Sequence, residues 1–208
     1  MTLQNRVTPF GEIIADPARG TFYGNRGCLH DDHQHLTKRR WSTHAWVVCW
    51  LSFKNRHRQL KMQPGKYTEL FFLDEATALA AGHRPCGECR RAYFKEFLEC
   101  WRHGNAMPGA TRLEIDARLQ AQRISSRPPR QITHRARLEN LPDCTFIAAP
   151  WDEKTACLVW GDALLPWSPS GYGRPQKRGP GEVLVLTPLG TVATLRAGYA
   201  PLVHPSAA

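Results

Sequence analysis

The stretch Tyr67–Trp101, YTELFFLDEATALAAGHRPCGECRRAYFKEFLECW, decides the fold, because it sets a strand, a short helix, a cysteine turn and a longer helix in immediate succession. Thr68, Leu70 and Phe72 alternate with Glu69, Phe71 and Leu73, the period of a buried strand. Asp74 offers an N-cap to a helix over 75–81, and Gly82 closes it. Pro85 then opens a tight turn carrying Cys86 and Cys89. From Arg90 onward Tyr93, Phe94, Phe97, Leu98 and Trp101 recur at helical spacing up to the stop at Gly104.

A Cys-x-x-Cys pair at the start of a helix favours metal binding for two reasons. The spacing lets two sulfurs converge on one ion, and the positive end of the helix favours thiolates. A redox dithiol and a pair of merely buried cysteines are the competing readings. A zinc site needs further ligands, and two places in the chain offer them. In the loop-like segment 5–35, Cys28 and His30 share a face if the chain is extended, whereas His33 and His35 fit an exposed polar loop beside Asp31 and Asp32. Cys49 stands in the apolar run 45–53, AWVVCWLSF, on one face with Val47, Leu51 and Phe53. The expected ligand set is thus Cys86 and Cys89 with Cys49 and with His30 or Cys28.

The segment FFLDEATALAAGHRPCGECRR resembles the metal-binding domain of the Ada adaptive-response family over roughly 70–91. In that family an aromatic strand, an "ALAAG" helix and a "RPC-x-x-C" turn occur in this order. The resemblance implies a small α/β domain that holds zinc with four cysteines and binds DNA, one ligand accepting a methyl group from a methylated backbone phosphate. Cys86 and Cys89 match the family's second cysteine pair. No Cys-x-x-x-Cys precedes the strand, so the first pair, which includes the methyl acceptor, has no match here. Pro85-Cys86-Gly87-Glu88-Cys89 also resembles the Pro-Cys-x-x-Cys half of zinc cytidine deaminases, but Tyr67-Thr68-Glu69 lacks the ligand two residues before the glutamate that the other half requires.

The whole chain has 208 residues, a net charge of +10 and a pI near 9.6, a balance that points to an anionic partner, most economically nucleic acid, which the Ada resemblance implies to be DNA. Residues 1–107 carry 16 basic against 10 acidic side chains and 108–208 carry 12 against 8, so neither half is the sole basic one. Candidate phosphate contacts are Lys38, Arg39, Arg40, Lys54, Arg56, Arg58 and Lys61, placed around a hairpin expected over 45–63, together with Arg90 and Arg91 at the helix start. Trp41, Trp46 and Trp50 lie among them and offer stacking surfaces for bases. Seven cysteines in a chain with no apolar leader pattern fit a reduced, cytoplasmic protein, and no apolar run approaches the length of a membrane span.

GNAMPGA at 104–110 breaks the pattern, and Thr111 with Glu114 forms a capping box for a helix to about 122. Its apolar stripe is thin, and seven arginines fall between Arg112 and Arg137, so 108–137 reads as a basic helix and linker, a surface arm. The runs CTFIAA, ACLVW, ALLPW, EVLVLT and TVATL then read as short strands. The expected fold class is α+β: an Ada-like zinc domain over 1–107 followed by a small all-β barrel or sandwich over 138–208. The expected function is that of a zinc-binding, nucleic-acid-binding protein. The alternative is a metal-dependent enzyme acting on nucleic acid, either a nuclease or an Ada-like methyl acceptor using Cys28.

Overall fold

The first sheet takes its strands from the N-terminal part of the chain, in a computed structural model that describes residues 2–54 and 62–208. Its strands are β1 (Gln4–Val7), β2 (Ile13–Ala15), β3 (Phe22–Asn25), β4 (Val47–Trp50), β5 (Leu70–Phe72) and the two-residue β6 (Arg84–Pro85), in the order β2-β1-β5-β3-β4-β6. The β1–β5 and β4–β6 pairs are parallel and the others antiparallel. Period-two alternation divides β3, β4 and β5: Phe22, Val48, Leu70 and Phe72 enter a core with Val7, Leu29 and Ala78, while Tyr23, Cys49 and Phe71 take the other face.

Helix α1 (Glu75–Ala80) begins as its sequence dictates, with Asp74 Oδ1 accepting the Thr77 backbone N–H at 2.8 Å. Gly82 follows at φ +83°, a left-handed conformation that turns the chain into β6, and a Cβ there would lie 2.6 Å from Arg123 Cδ. Helix α2 (Arg91–Gly104) starts two residues after Cys89 and buries Phe97, Leu98 and Trp101. Helix α3 (Arg112–Arg123) carries the complete Thr111–Glu114 capping box.

Contrary to the expected surface arm, α3 is packed. Ile115 and Leu119 are fully buried, Asp116 receives a two-pronged ion pair from buried Arg84 (2.6 and 2.7 Å), and Arg123 lies in the interior. Charged residues with buried partners thin the apolar stripe without making the helix a surface element.

The second sheet comprises β7 (His134–Arg137), β8 (Phe146–Ala149), β9 (Asp152–Trp160), β10 (Ala163–Ser168), β11 (Gly171–Tyr172), β12 (Gln176–Lys177) and β13 (Glu182–Val185). Its order is β11-β10-β9-β8-β13-β7, with β12 also on β10, so of the expected barrel or sandwich no closed barrel forms, and the sheet stays open. Nor is this region all-β, because Thr191–Leu195 lies within helix α4 (Leu189–Arg196). Alternate residues of β8 and β9 serve two cores. Phe146, Ala148, Ala156 and Leu158 meet α1, α2 and α3, and Ile147, Ala149, Cys157 and Val159 meet Leu138, Leu141 and Val192 of α4. The architecture is mixed α+β, with two sheets and four helices among the described residues. One core cluster spans residues from both sides of the 108–137 segment. Among the described residues no helix is long and apolar enough to cross a membrane.

Candidate metal centre

β4 and β6 bring the cysteines together. Arg84 N–H donates to Trp46 O at 3.1 Å and Cys86 N–H to Val48 O at 2.9 Å, so the parallel pairing carries the chain past Pro85 until Cys86 stands beside Cys49. The Arg90 N–H closes the turn on Cys86 O at 3.1 Å, which returns Cys89 to the same place. The sulfurs of Cys49, Cys86 and Cys89 all lie within 4.8 Å of one another. A tetrahedral zinc with Zn–S bonds of about 2.3 Å holds its sulfurs about 3.8 Å apart, so these thiols need only a small contraction.

Cys86 Sγ accepts the Glu88 backbone N–H at 3.4 Å, and the backbone of Cys89 points at it as well. Such contacts stabilise a thiolate. The thiols of Cys49 and Cys89, followed by those backbone groups, pull Cys86 well below the usual thiol value. Cys49 moves far up, because it faces the sulfurs of Cys86 and Cys89 and is buried. Cys89 also rises: Cys49 favours its thiolate, but the competing Cys86 thiolate and burial outweigh that help. Three crowded sulfurs therefore share their protons and cannot all ionise alone. A divalent cation removes that conflict, so the donor set fits a soft or borderline metal ion.

Of the expected ligands, the structure unites these three and leaves two aside. His30 is buried, with Nδ1 2.6 Å from Thr68 Oγ1 and Nε2 3.1 Å from Gln63 O, so both ring nitrogens are engaged elsewhere. Cys28 Sγ lies 3.7 Å from His30 O, outside the sulfur cluster. His33 and His35 are exposed, as an open polar loop requires. Among the described residues no fourth His, Cys, Asp or Glu joins the group.

All three cysteines line a cavity of about 350 Å³ on the outer face of the first sheet. Its floor follows the pairing register, with Cys49 opposite Tyr23, Tyr23 opposite Phe71, and Phe71 opposite Arg6, whose guanidinium carbon sits 5.0 Å from the Phe71 ring centre. Glu69 lines the same cavity and is buried, with Oε2 accepting the Met62 N–H at 2.7 Å. Glu69 is one of the carboxylates that a metal-dependent nuclease could use, whereas no sequence motif ties Tyr23 and Phe71 to the cysteines; only their alternation along the strands signals the shared face.

Comparison with protein-family models, curated proteins and solved structures gives no match. The site is therefore judged on its own chemistry.

Lys38, Arg39, Arg40, Lys54 and Arg91 are exposed. Arg90 is not available to phosphate: it is buried against Glu75 and enclosed by the rings of Phe22, Trp50 and Tyr93 at 4.9, 4.8 and 4.5 Å. Arg56, Arg58 and Lys61 lie outside the described residues, as does most of the expected return strand of the 45–63 hairpin. β4 pairs instead with β3 and β6. Of the tryptophans expected to stack on bases, Trp46 is buried and Trp50 packs 5.2 Å from Phe22.

Proposed function

We propose that the chain is a zinc-holding protein that binds nucleic acid, DNA in the first place, through the outer face of its first sheet. One observation carries this: the thiol cluster and the half-buried aromatic pair Tyr23–Phe71 share a single cavity. Sheet-borne aromatic rings beside cationic side chains are a general means of stacking unpaired bases. The charge of +10 and the exposed Lys38, Arg39, Lys54 and Arg91 supply the phosphate attraction. Resemblance of 70–91 to the Ada-type domain supports the same reading.

Cys49, Cys86 and Cys89 would hold the zinc. Bound there, the ion would neutralise the thiolates and offer Lewis acidity toward the cavity's contents. Tyr23 and Phe71 would present flat apolar surfaces to a base, and Arg6 would support the Phe71 ring from the neighbouring strand β1. Fluorescence anisotropy with labelled single- and double-stranded oligonucleotides tests the proposal. Saturable binding weakened by Tyr23→Ala and Phe71→Ala supports it. Affinity unchanged in both variants places nucleic acid elsewhere, and no binding at low salt ends it.

A second reading, metal-dependent catalysis on nucleic acid, is favoured by Glu69, a buried carboxylate in the same cavity as the sulfurs. Glu69 would there move a proton to or from the reacting group. Product formation that vanishes in Glu69→Gln while oligonucleotide affinity persists would select this reading. The methyl-acceptor alternative would need Cys28 to act outside the three-sulfur cluster.

A further inference from the structure

On the other face of the first sheet lies a second cavity, of about 280 Å³, with unlike chemistry. Arg26 follows β3 and Trp46 precedes β4, the alternate positions to Asn25 and Val47 on the cysteine side. Four guanidinium groups line it: buried Arg26 and Arg123, and exposed Arg40 and Arg130. One carboxylate, Glu12, lines it as well.

Arg26 is 1% exposed. Its Nε faces His83 Nε2 at 3.4 Å and its Nη1 donates to Gly11 O at 3.0 Å, but its Nη2 has no partner among the described residues. Arg123 is spent on neutral acceptors, namely Gly82 O, His44 O and Gln120 Oε1. Neither guanidinium has a carboxylate within ion-pair distance among the described residues. The acid that acts on Arg123, Asp116, is held through both oxygens by Arg84. Trp46 lies between the two charges, its ring centre 4.3 Å from Arg26 Cζ and 3.9 Å from Arg123 Cζ.

Burying a cation without a counter-ion is costly, and leaving one of its N–H groups unpaired adds to that cost. Burial and the neighbouring Arg40 lower Arg26 to about 9, as an uncompensated charge requires. The Gly11 O hydrogen bond and the Trp46 ring offset only part of this cost, and an apolar residue of similar size would avoid both penalties. The setting is explained if a ligand brings the missing negative charge.

We propose that the cavity bounded by Arg26, Arg40, Arg123 and Arg130 is a binding site for a phosphomonoester group. Arg26 Nη2 supplies a buried hydrogen bond at the inner end, and Arg40 and Arg130 close on the phosphate from the solvent side. Phosphate suits this site better than carboxylate because several planar forks approaching from different sides match a tetrahedral dianion. The volume exceeds that of a bare phosphate ion, so a small esterified group fits beside Phe10 and Trp46. The free anion or small ester and the 5′-phosphorylated end of a nucleic-acid strand share this chemistry. The site does not depend on the cysteine cluster or on the outer-face reading.

Calorimetric titration of the full chain with inorganic phosphate, at ionic strength fixed with sodium chloride, tests the site. One equivalent should bind saturably and raise Tm, because a ligand of the native state alone stabilises it. Arg40→Ala and Arg130→Ala, both at exposed positions, should each weaken binding about tenfold, the loss of one charge-assisted hydrogen bond. Arg26→Met should abolish it. No saturable uptake of phosphate, or uptake undiminished in the two surface variants, would overturn the proposal, even if Arg26→Met failed to fold. The source follows from oligonucleotides differing only at the 5′ end: about tenfold tighter binding of the phosphorylated strand assigns the strand end, and equal binding with phosphate uptake retained assigns the free anion or a small ester.

Discussion

Arg90 Nη2 donates to Glu75 Oε2 at 2.7 Å, with both side chains fully buried. Glu75 also receives the Tyr199 hydroxyl at 2.6 Å and the Leu202 N–H at 2.9 Å. The residue next to Cys89 is thereby fastened to the start of α1 and to the segment after α4. Removing one member leaves a buried charge alone, so Glu75→Gln should cost about 3–5 kcal/mol in urea unfolding. Arg112→Ala, which removes a half-exposed partner 3.8 Å from Asp116, should cost under about 1 kcal/mol. Equal effects would mean that the buried pair contributes no more than the exposed one.

Metal content separates the cysteines. Purified protein should carry one zinc by elemental mass spectrometry, and Cys49→Ser, Cys86→Ser and Cys89→Ser should each lose it together with much of the folding free energy, on the order of 10 kcal/mol for a structural zinc. Cys28→Ser and His30→Ala should retain it. Zinc loss in either of the latter would mean that the loop, not the three-sulfur cluster alone, holds the ion.

His83 makes stability pH-dependent in a defined direction. It is fully buried between Trp46 and Phe72, with Nδ1 3.2 Å from Ala78 O, and burial followed by Arg26 and Arg123 hold its pKa well below the usual value. Above a pH of about 6.5 the ring is neutral in both the folded and unfolded states and contributes no pH slope. Below that value the unfolded chain takes up a proton that the folded one refuses, so stability falls as pH drops, by up to about 1.4 kcal/mol per pH unit for this group. His83→Phe should flatten the decline between about pH 6.5 and 4.5 by one proton's worth. An unchanged slope would show that the imidazole is charged in the folded protein.

Salt dependence reports the exposed cations. If Lys38, Arg39 and Lys54 each neutralise a phosphate, their triple alanine variant should reduce the slope of log K against log salt by about 2 to 3 units on DNA. Retention of the full slope would shift the contact surface away from these three residues.

The order strand, short helix, cysteine turn, long helix could be read from the chain because each signal is local: the Asp74 cap, the left-handed Gly82, the helical spacing of Phe97 and Trp101. The Thr111–Glu114 box was legible for the same reason. Cys49 could be chosen by strand alternation, since its face was predictable even though its neighbours were not. His30 could not be excluded, because the hydroxyl that claims it belongs to Thr68, far along the chain. TVATL is misleading in its β-branched residues: inside α4, Thr194 is buried with its hydroxyl donating to Gly190 O at 2.7 Å, and Val192 packs into the core of the second sheet. Charge in a sequence reads as solvent exposure, whereas Arg26, Arg84, Arg90 and Arg123 are all interior.

The pairing of Tyr23 with Cys49 makes β4 intolerant of insertion or deletion. A slip of one residue would turn Cys49 inward, present Val48 in its place, and carry Trp46 away from the two arginines that flank it. A length change of a single codon within 46–50 would thus disable both cavities at once, whereas most single substitutions on either face would injure one and spare the other.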